Sequence, residues 1–162
     1  MIILWILAAG LAATVLHVCA TALLGRAFGL QPKRLSFGAG PALLSGSVHG
    51  VDIRLGPIVL AGGVRFGDAA LERLPLWKHI ALALAGVGAL LAAATLLMGP
   101  EALRLAQDAA ATFVRLVLAP LQNETLLAEA LAELDAMPAA GKIAAVLAVY
   151  AGVNLVPLAF HP

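Results

Sequence analysis

The chain has 162 residues and a mass of 16.5 kDa, room for one domain. Of these residues 62% are hydrophobic and 12% charged, against roughly 45–50% and about 25% in soluble domains. With a mean hydropathy of +1.01, this excludes an ordinary soluble globule and a disordered chain and points to an integral membrane protein. The formal net charge is +1, so nucleic acid is not an expected partner: binding phosphate backbones needs a surplus of clustered positive charge.

The segment Met1–Gly25 contains no Asp, Glu, Lys or Arg, and a helix of that length, rising about 1.5 Å per residue, exceeds the roughly 30 Å hydrocarbon core. A cleaved signal peptide fits poorly, because a basic n-region is missing and the apolar stretch is too long. The one cysteine, Cys19, lies inside this run, so no internal disulfide is expected. A second charge-free run covers His79–Pro100, with Trp77 and Lys78 at its entrance, residue types that suit a membrane interface. A third covers Ile143–Pro162. The predicted architecture is mainly α, with three transmembrane helices in a single membrane domain: span 1 at 1–25, an inner Gly-rich β region at 26–78, span 2 at 79–100, outer helices at 101–141 and span 3 at 142–162.

The two connections differ in charge. Arg26, Lys33, Arg34, Arg54, Arg65, Arg73 and Lys78 stand in the first against three acidic residues; the second has three basic residues and six acidic ones. Because basic loops stay cytoplasmic, residues 26–78 are predicted on the inner side of a plasma membrane, such as a bacterial inner membrane, with the N-terminus outside. Glycines at 38, 40, 46, 50, 56, 62, 63 and 67, with Pro41 and Pro57, punctuate short apolar runs such as Val51–Leu55 and Ile58–Leu60, which are strand and turn signals. Leu55–Val64 is too apolar for an ordinary cytosolic hairpin. The expectation is a β-hairpin or small sheet packed against the spans, since non-helical backbone at membrane depth survives only against protein or a wet cavity. In the outer connection, Glu101–Ala119 reads as one helix between Pro100 and Pro120. A second, amphipathic helix is expected from Asn123 or Glu124 to just before Pro138, with Leu127, Leu131 and Leu134 on one face. Asn123-Glu124-Thr125 matches a glycosylation sequon but reads as a helix cap.

Several stretches carry a resemblance. His17-Val18-Cys19-Ala20-Thr21 lies in the first span, followed by Gly25-Arg26-Ala27-Phe28-Gly29 and Arg34-Leu35-Ser36-Phe37-Gly38-Ala39-Gly40-Pro41; Ile58-Val59-Leu60-Ala61-Gly62-Gly63-Val64 comes later, and Asn154-Leu155-Val156-Pro157 near the end. This pattern resembles the site-2 protease family of intramembrane zinc metalloproteases. Members carry H-E-x-x-H in the first core span, then G-x-x-x-E-R-F-S-x-G-x-G-P, an embedded hairpin with P-x-G-G, and N-L-x-P-x-x-x-L-D-G in the last span. The resemblance implies a three-span core with an embedded β element, and substrate helices that unwind and pair with its edge. Gly38, Gly40, Ile58, Leu60, Gly62, Gly63 and Asn154 are the partner-binding positions it suggests.

The departures fall on the chemistry. His17 keeps the first ligand position, Val18 replaces the general base, Thr21 replaces the second ligand, and Pro162 stands where the third ligand, an Asp, belongs. The Asn of the family's G-P-x-x-N stretch corresponds to Leu90. In H-E-x-x-H the two His face one metal and the Glu activates its water, so these substitutions remove base and cage together. His17 and His161 are the only weak metal candidates, and two ligands fall short of the usual three. A lone His in an apolar helix also reads as a neutral residue hydrogen-bonded to a neighbour. Cys19, two residues from His17, points to another helix face. Ser36, Ser45 and Ser47 lack a base and its orienter.

The expected function is that of a catalytically silent relative without cofactor, which binds, stabilises or assembles another integral membrane protein, such as a single-span helix, within the lipid bilayer. Small residues at Gly10, Ala13 and Ala20 and from Ala85 to Ala93 suit close helix packing. Two alternatives stay open: an active zinc metalloprotease with atypical or partner-supplied ligands, and a purely structural subunit of a larger membrane complex.

Overall fold

A computed structural model describes residues 2–118 and 132–160. In chain order its elements are α1 (Ile2–Ala27), β1 (Pro32–Ala39), β2 (Leu44–Val48), β3 (Val51–Leu55), β4 (Ile58–Phe66), α2 (Asp68–Leu71), α3 (Leu76–Met98), α4 (Glu101–Leu118) and α5 (Ala139–Phe160). Contacts divide the chain into two compact units, one of Gly10–Ala89 and one of Met1–Ala9 with Leu90–Pro162. Helices α1 and α3 are each long and apolar enough to cross a membrane, whereas the described apolar run within α5, Ala139–Asn154, is shorter.

In the first unit, α1 ends where glycine allows it. Gly29 has φ +83°, its N–H donates to the Arg26 carbonyl at 2.9 Å, and the Leu30 N–H donates to the Gly25 carbonyl at 2.9 Å. This pair of bonds is a Schellman ending, and Leu30 closes it by joining a cluster with Phe66 and Leu82, against which Leu24, Val64, Leu71 and Leu74 pack. The chain reverses directly into a four-stranded mixed sheet of order β2-β3-β1-β4. Strand β1 runs parallel to β3 and antiparallel to β4, and β2 and β3 form an antiparallel hairpin. At its turn His49 and Gly50 have φ 49° and 80°, the two positive values that a type I′ turn requires.

A small sheet is therefore what the Gly-rich region forms, but its hairpin spans Leu44–Leu55. Leu55–Val64 is not a hairpin, because its two ends lie in β3 and β4 and β1 is inserted between those strands. The insertion is fixed at Gly38, where the β1–β4 register shifts between Phe37 and Ala39. Gly38 has φ +92°, and a side chain there would collide with the Gly56 carbonyl, while the Gly56 N–H donates to Phe37 at 2.8 Å. Two further boundaries differ from the sequence reading: the connection contains the short helix α2, and α3 begins at Leu76, three residues before His79, because Pro75 opens its first turn and its carbonyl accepts the Lys78 N–H at 2.9 Å.

Alternation sorts the sheet into two faces. Ser45, Ser47, Asp52, Arg54, Arg34, Ser36, Gly63 and Arg65 share one, and Leu44, Val48, Leu55, Ile53, Leu35, Phe37, Gly62 and Val64 share the other. The apolar face lies on α1 through Gly62, next to Thr14 and Val18.

In the second unit α4 packs along α5. Ala102, Ala106, Ala144, Ala148 and Ala151 are buried, and the backbones approach so closely that a side chain at Gly152 would meet the Ala106 carbonyl. Alanine and glycine at these positions permit that approach; on α4, Arg104, Gln107 and Asp108 remain exposed. Of the amphipathic helix expected at 123–137, only 132–137 falls among the described residues; 132–136 is helical and Met137 is a bend. Leu127, Leu131 and the sequon lie outside them, as do His161 and Pro162.

Candidate functional site

On α1, Thr14 and Val18 face the sheet and His17 faces α3, within the first unit. Val18, which the resemblance would place at the general-base position, is completely buried, as is Thr14 one turn earlier. Both press on Gly62 of β4: a Cβ built there would stand 2.6 Å from Thr14 Cγ2 and 3.0 Å from Val18 Cγ2. His17 is half-buried and lies against Gly86 of α3, where a Cβ would overlap the imidazole ring. Thr21 donates its hydroxyl to the His17 carbonyl at 2.9 Å, a bond back onto its own helix. Cys19 is an exposed free thiol, as expected for a residue two positions from His17. Leu90 is completely buried, one turn beyond Gly86 on α3 and within the second compact unit.

A zinc ion needs several converging donor atoms. The Val18 side chain has no donor atom and fills the helix–sheet seam, and the Thr21 hydroxyl is directed at the helix backbone. Among the described residues no three His, Cys, Asp or Glu side chains come together. The site around His17 thus sets one imidazole against Gly86, beside the packed seam of Thr14, Val18 and Gly62.

The suggested partner-binding positions separate into three places. Gly38 and Gly40, with φ +92° and +97°, shape the end of β1; Ile58, Leu60, Gly62 and Gly63 lie on β4, an edge strand of the sheet. Asn154 lies on α5 in the other unit and donates to the Tyr150 carbonyl at 2.7 Å.

Two constellations escaped the sequence reading. At the end of α1, Lys78 Nζ lies 5.2 Å from the Phe28 ring centre and 5.5 Å from that of Trp77, and the two rings meet edge to face at 5.7 Å. Trp77 and Lys78 stand out in the sequence, but the pairing with Phe28 depends on the return of the chain. The other is a cleft of about 240 Å³ on the polar side of the sheet, lined by Lys33, Arg34, Asp52, Arg65, Phe66 and Asp68. The alternation of polar residues within β1 and β3 was the available signal; their register across strands was not. No protein-family model matches the chain, and no curated protein is similar to it.

Proposed function

We propose that this chain is a membrane-embedded, catalytically silent protein of the site-2 protease type that binds and stabilises another integral membrane protein. The observation that carries the reading is the seam between α1 and β4. The position reserved for a general base holds Val18, fully buried against Gly62, so that place in the resemblance contributes packing instead of proton transfer. Membrane embedding is supported by side chains that water would not tolerate together: Leu4, Leu7, Leu11 and Leu23 on α1 and Ile80, Leu84, Leu96 and Leu97 on α3 are all exposed. In each helix only 28% of the most apolar window is buried, which suits a lipid-facing helix better than the core helix of a soluble domain.

The binding surface in this reading is the free edge of β4. An edge strand presents unpaired N–H and C=O groups, and an extended segment of a partner can add to it. That mode uses backbone alone, so it survives the loss of His17's companions. The third span, the outside N-terminus and the inner placement of 26–78 belong to the same proposal. Photo-crosslinking of the full chain in its native membrane tests it, with the reactive residue placed at Leu60 or Gly63 on β4 and at Ser47 on β2. A discrete adduct with one membrane protein from β4 and none from β2 is expected. Equal adducts from both strands would remove the edge as the binding surface, and stoichiometric zinc with proteolysis would move the metalloprotease reading to first place.

A further inference from the structure

We propose that the cleft beside β1 and β4 is a phosphate-binding site, occupied by the headgroup of an anionic lipid. The inference rests on the membrane reading for the source of the phosphate, but not for the site. In the sheet register Arg34 sits between Asp52 of β3 and Arg65 of β4. Like charges placed directly opposite on neighbouring strands destabilise a sheet, and Lys33 adds a third cation to the same cleft. Asp52, opposite Arg34, and Asp68 also line the cleft, so three cations meet two acids and one positive charge is left over. Asp68 pairs with Arg65 only at 3.9 Å, with both side chains largely exposed, which is worth little. Among the described residues neither Lys33, Arg34 nor Asp52 takes part in a salt bridge, and Arg34 Nε is buried without a hydrogen-bond partner.

Arg34 and Arg65 both line the cleft, so a phosphate there would accept charge-assisted bonds from their guanidinium groups and relieve the opposition between them. Lys33 also lines the cleft, and the end of its side chain lies by Gly67, with Nζ 3.5 Å from where a Cβ would stand. At about 240 Å³ the space falls below the ~300 Å³ at which drug-sized pockets begin, so it suits a single headgroup. Its depth favours a lipid over a soluble ester. Phe66, which lines the cleft, packs on Gly25 in the last turn of α1, so the cleft stands level with the end of an apolar helix, where headgroups lie.

The test uses the full-length chain and two probes. One is phosphatidylcholine vesicles with and without phosphatidic acid, read as lipid retained after repurification. The other is inorganic phosphate, read by calorimetry in detergent. Arg34→Gln is compared with Arg54→Gln, which removes the same charge from the same face one position along, and with Arg34→Lys, which keeps the charge and loses the guanidinium fork. Phosphatidic acid is expected to be retained over phosphatidylcholine, with a loss of ~10-fold or more for Arg34→Gln. The loss should be no more than about fivefold for Arg54→Gln, the share of one surface cation, and intermediate for Arg34→Lys. Phosphate heat lost in Arg34→Gln without lipid retention would keep the site and assign it a soluble phosphate. Equal losses for Arg34→Gln and Arg54→Gln, or no binding of either probe, would overturn the proposal. Recovery of the chain from the soluble fraction without detergent would overturn the membrane reading and leave the calorimetric arm to judge the site.

Discussion

A methyl group added at Gly62 would stand 2.6 Å from Thr14 Cγ2, 2.9 Å from the Ser36 carbonyl oxygen and 3.0 Å from Val18 Cγ2. The carbonyl cannot move without breaking the β1–β4 ladder, so Gly62→Ala is expected to cost about 1–3 kcal/mol, measured as a fall in unfolding midpoint in detergent. Gly63 is the control: a Cβ there meets nothing within 4 Å, and Gly63→Ala should leave the midpoint nearly unchanged. Two adjacent glycines that look equivalent in the sequence thus have different duties, and only the α1 side chains beneath Gly62 reveal it. The same holds for Val18. The sequence shows that a general base is missing there, but not that the valine is wedged into a helix–sheet seam. Val18→Glu would place a carboxylate in a fully buried position, and a loss of at least ~3 kcal/mol is expected. Adding Thr21→His to it should not yield a zinc-dependent hydrolase, and elemental analysis of that double variant would show the contrary as about one zinc per chain.

At the scale of elements, α1, α3, α4 and α5 were legible from charge-free runs and prolines, and the structure moves their ends by only a few residues, whereas the short α2 was not foreseen. The strands were legible as a region, because glycine, proline and short apolar runs mark extended segments. Their order was not. Nothing local in Arg34–Phe37 shows that it pairs with both Asp52–Leu55 and Gly62–Arg65, since pairing partners are chosen by tertiary packing. The polar row and its cleft depend on that order, so they were hidden with it. The β2–β3 turn makes a prediction at this scale. His49 occupies a left-handed conformation that Asn tolerates better, so His49→Asn is expected to stabilise by a few tenths of a kcal/mol, whereas Gly50→Val should destabilise by ~1–2 kcal/mol. Chemical denaturation followed by the fluorescence of Trp77 would compare the two; a destabilised His49→Asn would contradict the turn assignment.

For the whole molecule the decisive quantity is the sign of charge on either side of α3. Seven basic and three acidic residues precede its charge-free part from Arg26 to Lys78, and three basic and six acidic residues follow it from Glu101 to Lys142. In the proposed orientation this bias would put the first group inside, and the structure gives that group a definite form: a sheet with a cleft lined by Lys33, Arg34 and Arg65, and a Lys78–Phe28–Trp77 cluster suited to an interface. Asp68 is a suitable reporter of this side, because its side chain is 79% exposed and its only ion pair is long. Asp108, exposed on α4, reports the other. Cys19 must first be replaced, since its thiol is exposed and free, and Cys19→Ala changes no hydrogen bond that the structure contains. On that background, Asp68→Cys should react with a membrane-impermeant maleimide only after the cells are opened, and Asp108→Cys should react in intact cells. The reversed pattern would invert the orientation. Reaction of both cysteines in intact cells would place 68 and 108 on one side, so that α3 could not cross, and its exposed leucines would need a protein partner instead of lipid.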